Sequence, residues 1–200
     1  KDGTLVIPTQ GRDENGLPFS NITYSKDGGE SWKTSNPASH NTTECMAVEL
    51  SNGHIMLNIR DNKNREDKSE TNGRKIMMTE DLGETWTEHP TSNGALIEPT
   101  CMASIHRHDY TDNQGASKSI LVFSNPNSKY KRIKQTIKLS LDDGNTWPRE
   151  YWMELDEGRG AGYSCITSID NDHIGILYEG SQAHMTFQKI NINELIKKYD

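Results

Sequence analysis

Ser25-Lys26-Asp27-Gly28-Gly29-Glu30-Ser31-Trp32 is the stretch on which the fold turns. It returns as Thr79-Glu80-Asp81-Leu82-Gly83-Glu84-Thr85-Trp86 and again as Ser140-Leu141-Asp142-Asp143-Gly144-Asn145-Thr146-Trp147. The shared pattern is S/T-x-D-x-G-x-[ST]-W, and the copies start 54 and 61 residues apart. One such octapeptide is weak evidence, but three at near-constant spacing define a repeat. Each copy reads as a hairpin turn. The Asp carboxylate accepts hydrogen bonds from the turn's own N–H groups. The Gly supplies a positive φ that a Cβ resists. The Trp opens the next strand and packs its ring beneath the turn. A strand-like stretch leads into every copy: 21–24, 75–78 and 136–139.

A second repeat lies between the turns. Glu44-Cys45-Met46-Ala47-Val48, Thr100-Cys101-Met102-Ala103-Ser104 and Ser164-Cys165-Ile166-Thr167-Ser168 share a Cys followed by an apolar and then a small residue. Each precedes an apolar strand, at 54–59, 119–123 and 173–178. A unit therefore reads as Cys strand, apolar strand, pre-turn strand, turn and Trp strand. Four strands in about 50 to 60 residues is the grammar of a propeller blade. The expected architecture is all-β, with four-stranded antiparallel blades at about 3–36, 44–90, 100–151 and 163–191. The first lacks its Cys strand and the last lacks its Asp turn. A short helix is expected at about 192–199.

Composition agrees. Only 32% of residues are hydrophobic and 16 are Gly, which suits many short strands joined by polar turns better than a helical bundle. The net charge of −7 argues against nucleic acid as a partner. An anionic ligand would need a local cluster of arginines. No apolar run reaches the roughly 18 to 20 residues of a membrane-spanning helix. Lys1-Asp2-Gly3 leads straight into a strand, a start that reads as a lost N-terminus and leaves secretion open. The three cysteines, Cys45, Cys101 and Cys165, contain no CxxC pair and read as buried free thiols. His106-Arg107-His108-Asp109 invites a metal reading, but no third ligand stands at a suitable spacing. It reads instead as a surface loop, with no metal or cofactor expected.

The Asp turns resemble the Asp-box of sialidases, although Asp-boxes also occur in non-enzymatic propellers. A more specific resemblance lies in Thr43-Glu44-Cys45-Met46-Ala47-Val48-Glu49, Leu57-Asn58-Ile59-Arg60, Phe123-Ser124-Asn125-Pro126 with Arg132, and Gly162-Tyr163-Ser164-Cys165 through Leu177-Tyr178-Glu179. Over nearly its whole length the chain is similar to the second half of a bacterial exo-α-sialidase. That resemblance implies a six-bladed propeller with about four blades in this chain. It implies hydrolysis of terminal sialic acid with retention through a tyrosyl-enzyme intermediate. Sialylated glycans are then the partners, and the protein is secreted, periplasmic or cell-surface.

A tyrosine nucleophile suits the substrate. The anomeric carbon of sialic acid carries a carboxylate, which would repel an attacking Asp or Glu, whereas a phenol is neutral. Its pKa of about 10 requires a base within hydrogen-bond reach. The resemblance assigns Tyr163 as nucleophile and Glu44 as its base. The repeat places both at the starts of first strands of blades, the strands that line the central channel of a propeller. Glu49 is the rival for Glu44, and their odd separation puts them on opposite faces of a regular strand. Arg60 and Arg132 would bind the sugar carboxylate, with Lys131 as the alternative to Arg132, and Arg65 reads as a solvated loop residue. Gln10 is the expected contact to the glycerol tail or N-acyl group. Glu179 would support a first arginine that this chain lacks, together with the acid/base aspartate. Two rival readings remain: a non-catalytic propeller that binds glycans or proteins, and a trans-sialidase that hands the sugar to another acceptor.

Overall fold

The structure is a computed structural model and describes residues 2–182 and 184–196. The chain forms two compact units, Lys1–Leu96 and Ile97–Asp200. Each holds two antiparallel sheets, and among the described residues the one helix is a single short turn.

In the first unit, β1 (Leu5–Arg12) and β2 (Pro18–Ser25) form a hairpin. Two short segments, β3 (Lys33–Thr34) and β4 (Ser39–His40), both pair with β2 and make up its outer neighbour. The second sheet is the complete one, in the order β5 (Thr42–Glu49), β6 (Ile55–Asp61), β7 (Lys75–Thr79) and β8 (Thr87–Glu88). Ile22, Ala38, Cys45, Leu57, Ile59 and Met77 fill the space between the two sheets. A 3-10 turn, Asn62–Arg65, follows β6. Its Asn64 side chain is buried on the backbone of Gly73, while Arg65 is exposed.

In the second unit, β9 (Ser104–Thr111), β10 (Ser117–Pro126), β11 (Ile133–Ser140) and β12 (Trp152–Arg159) form a four-stranded meander. A three-stranded sheet follows: β13 (Ser164–Asp170), β14 (His173–Tyr178) and β15 (Thr186–Asn191). The helix α1 (Ile192–Ile196) caps it, and the remainder of the expected 192–199 helix lies outside the described residues. Ile120, Val122, Ile137, Leu139, Ile166, Ile174 and Ile176 are the centre of this unit's core. Their alternation along each strand follows the two-residue period of the pleat.

The three turns have one geometry, and it accounts for the shared Ser or Thr, Asp and Gly positions of the motif. In the third copy, Ser140 Oγ donates to Asp142 Oδ1 at 2.7 Å and accepts from Gly144 N at 2.8 Å. Asp142 in turn accepts from Thr146 N at 2.8 Å and from Thr146 Oγ at 2.7 Å. The same bonds recur around Asp27 and Asp81. They hold the Asp27 carboxyl well below the usual carboxylate range, led by the Ser31 hydroxyl. Two successive residues have positive φ. The first lies at 56° to 74° and accepts Gly28, Leu82 or Asp143. The second lies at 82° to 99° and is always Gly. That agrees with the left-handed region, whose allowed pocket for L-residues sits near +57°.

Two sequence expectations change. Trp32 packs its ring on Gly29 of its turn and donates its ring N–H to Gly29 O at 3.0 Å, but it remains 42% exposed and so is covered less than expected. In the third unit the outer strand does not start at Trp147. Pro148 lacks an N–H, a 3-10 turn (Arg149–Tyr151) intervenes, and β12 begins at Trp152.

Candidate functional site

The expected site residues fall into two corners, one in each unit. In the first unit, Thr42 pairs with Asp61 but Cys45 pairs with Ile59, so β5 carries one extra residue opposite Arg60. This is a β-bulge formed by Thr43 and Glu44, and a bulge re-aims the side chains it contains. Here it turns the Glu44 carboxylate onto the Arg60 guanidinium in an ion pair whose side chains are 28% and 16% exposed. Ser20 Oγ fixes the bulge from the neighbouring sheet, at 2.9 Å from Thr42 Oγ and 2.6 Å from Thr43 O. The bulge breaks the alternation on which the choice between Glu44 and Glu49 rests. The partner strand sets the direction of Glu44, not its sequence separation.

Cys45 donates to Thr9 O at 3.4 Å, which brings the β1 segment carrying Gln10 against the β5 segment carrying Glu44. Gln10 itself is exposed, opposite Ser20. Burial pushes the Cys45 thiol up to about 11, so it remains protonated and is a poor nucleophile at neutral pH. Asp61, next to Arg60, is buried and accepts from Lys63 N at 3.0 Å, and burial raises its carboxyl above the usual range.

In the second unit, Tyr163 stands just before β13. The Arg132 guanidinium lies over its ring, 5.5 Å from the centroid. Arg132 is held there by Nη1 donating to Ala161 O at 2.7 Å. Lys131 is exposed, and Lys134, the second residue of β11, takes a left-handed φ of 58° at the register break between Ile133 and Gln135. Glu179 lies across from Tyr163 and exchanges two bonds with it. Glu179 N donates to Tyr163 O at 3.0 Å, and Glu179 Oε2 accepts from Tyr163 N at 2.9 Å. Glu179, expected to support an arginine that this chain lacks, is thus engaged by the tyrosine's own backbone. Gly162 has a φ of +93°, and a Cβ there would stand 2.9 Å from Pro126 and 3.2 Å from Arg132. Cys101 donates to Gly162 O at 3.5 Å from beneath.

The remaining sequence expectations divide. Cys101 is fully buried, as read, but Cys165 is exposed on β13, opposite the 41%-exposed Leu177. His106 and His108 lie on strand β9, not in a loop, and both rings bond Ser168 Oγ at 2.8 Å. Among the described residues no group of three His, Cys, Asp or Glu is placed to hold a metal. Sequence reasoning missed Asp61 and Asp156. The signal available for Asp156 was the alternation Gly158-x-Gly160-x-Gly162 just after it, which marks close backbone approach.

Residues 1–178 match the BNR repeat-like domain family. A sialidase of Bacteroides fragilis is 49% identical over 98% of this chain. The solved Hadza microbial sialidase Hz136 is 46% identical, with a TM-score of 0.88 over 97% of this chain. The chain spans 35% and 36% of the lengths of these two relatives. Trypanosoma rangeli sialidase, solved in complex with sialic acid, has the same fold at a TM-score of 0.74 and 21% identity, covering all of this chain and 31% of its own.

Proposed function

The chain belongs to the BNR repeat-like domain family, and from that premise we propose that it forms part of a retaining exo-α-sialidase. The observation that carries the reading is the Arg132 guanidinium over the Tyr163 ring. A fixed cation beside a phenol favours the developing phenolate and attracts the carboxylate of an incoming sialoside.

In this reading, Tyr163 Oη attacks the anomeric carbon as its proton passes to Glu44. The bond to the aglycone oxygen breaks, and that oxygen takes a proton from an acid outside these 200 residues. Water then attacks the anomeric carbon of the tyrosyl glycoside and gives its proton to the conjugate base of that acid, the phenolate leaves and takes its proton back from Glu44, and sialic acid departs with retained configuration. Arg60 and Arg132 bind the sugar carboxylate. Gln10 meets the glycerol tail or N-acyl group. Glu179 supports a further arginine contributed from outside this chain. The sequence similarity of the two close relatives named sialidase supports the substrate class.

The test is hydrolysis of a fluorogenic sialoside by the full-length protein, with NMR to identify the anomer first released. Tyr163→Phe is expected to lower kcat on the order of a thousandfold or more. Wild-type turnover with full accumulation of the retained product in that variant would sink the assignment. Tight sialoside binding without turnover in the wild-type protein would make it a lectin-like binder.

A further inference from the structure

The geometry points to Asp156 and Ser181 as positioning residues: they form a clasp that holds Glu179, and through it Tyr163, in place. The inference rests on the reading of Tyr163 as nucleophile and adds to it what fixes that residue.

Asp156 stands where the register of β11 and β12 breaks on both sides, between Ile133 and Gln135 and between Gln135 and Thr136. Asp156 itself stays paired with Gln135, and the one extra residue of β12 on each side of it bends the strand and re-aims its side chain. Its carboxylate closes on the segment just after β14. Oδ2 accepts from Ser181 N at 2.6 Å, and Oδ1 accepts from Ser181 Oγ at 2.6 Å and from Gly158 N at 2.9 Å. These charge-assisted bonds, the Ser181 hydroxyl first, lower the Asp156 carboxyl below its ordinary range, so the clasp stays charged in mildly acidic solution.

The approach is too close for any side chain on the β12 side. A Cβ at Gly158 would stand 2.3 Å from Ser181 Oγ, and one at Gly160 would stand 2.3 Å from the Glu179 carbonyl oxygen. The segment 179–181 is thus pressed against a glycine track and latched by one carboxylate. Two residues before the latch, Glu179 makes its paired bonds with the backbone of Tyr163. The chain of contacts runs from Asp156 to Ser181, to Glu179, to Tyr163. A nucleophile misplaced by about 1 Å can cost on the order of a hundredfold in rate, so a latch at this distance is felt in kcat.

The experiment uses the full-length protein with Asp156→Asn and Ser181→Ala. Asp170→Asn serves as control, because Asp170 bonds His173 and Lys189 at the other end of β13. Two quantities are measured: the kinetic constants on a fluorogenic sialoside and the hydrogen exchange of the Tyr163 amide. Asp156→Asn is expected to speed Tyr163 exchange and lower kcat about tenfold with little change in KM. Ser181→Ala should do the same more weakly, and the control should do neither. Ser181→Ala removes only one bond and decides the matter if Asp156→Asn does not fold. Unchanged Tyr163 exchange in the folded variants overturns the clasp, whatever the activity. Faster exchange with undiminished kcat supports the clasp and instead breaks the reading of Tyr163 as nucleophile.

Discussion

The two units hold their arginines in opposite ways. Arg60 is locked against the Glu44 carboxylate on a bulge, where the opposite charges cancel locally. Arg132 is held by a neutral carbonyl and an aromatic face. A guanidinium bonded to a carbonyl is fixed in place but keeps its net charge. One bonded to a carboxylate must share that charge. Of the two, Arg132 is therefore the more available to an anion, and Arg60 the more important to its own fold.

Activity offers the largest contrast. Arg132→Lys loses the planar fork that matches a carboxylate, and we expect kcat/KM for a sialoside to fall about a hundredfold. Arg60→Lys keeps a cation beside Glu44 and should cost less. Equal losses in steady-state kinetics would erase the distinction. Stability should show the reverse order. Arg60→Ala leaves the Glu44 carboxylate without its guanidinium and should cost about 2 kcal/mol in urea unfolding. Arg132→Ala loses one bond and one ring contact and should cost about 1 kcal/mol. A larger loss for Arg132→Ala would overturn the comparison.

Lys138 extends the contrast to a cation with no oxygen partner. It is fully buried, its Nζ lies 4.1 Å from the Trp152 ring centroid and 5.9 Å from that of Phe123, and it has no hydrogen-bond partner among the described residues. Burial, with Arg149 adding repulsion, lowers its pKa to about 7. Between that value and the ordinary 10.5, the unfolded chain holds a proton that the folded chain has released. Stability should therefore rise with pH across this window. Below about pH 7 both states are charged and the burial penalty is complete. Lys138→Met should stabilise the protein by about 1 kcal/mol at pH 6, part of the penalty being offset by the aromatic faces, and the gain should be gone by pH 9. The check is a pair of urea curves at the two pH values, and a gain that grows with pH would refute the assignment.

The strand positions of two candidate site residues were legible because they belong to a repeat. Glu44 immediately precedes a repeat cysteine and Tyr163 stands two residues before one, so their place near the start of a blade strand could be read from spacing. Arg132 is harder, since it is one of four cations between Lys129 and Lys134. Its selection depends on a left-handed Lys134 and on the Ala161 carbonyl, neither of which is visible in the local sequence. The His106–His108 pair was misplaced for a related reason. Polar residues in alternation look like a loop until the facing strand supplies Ser168 to bond them.

The sequence by itself determined the shape of the three Asp turns, because the bonds among their Ser or Thr, Asp and Gly residues close within seven residues of chain. It also determined the strand order, because antiparallel meanders follow chain order. Only the tertiary structure decided the bulge that turns Glu44 onto Arg60, the exposure of Trp32 and Cys165, and the latch from Asp156 to Ser181. Those features depend on which strand lies opposite and in what register, and a one-residue offset in pairing leaves no mark on the composition of either strand.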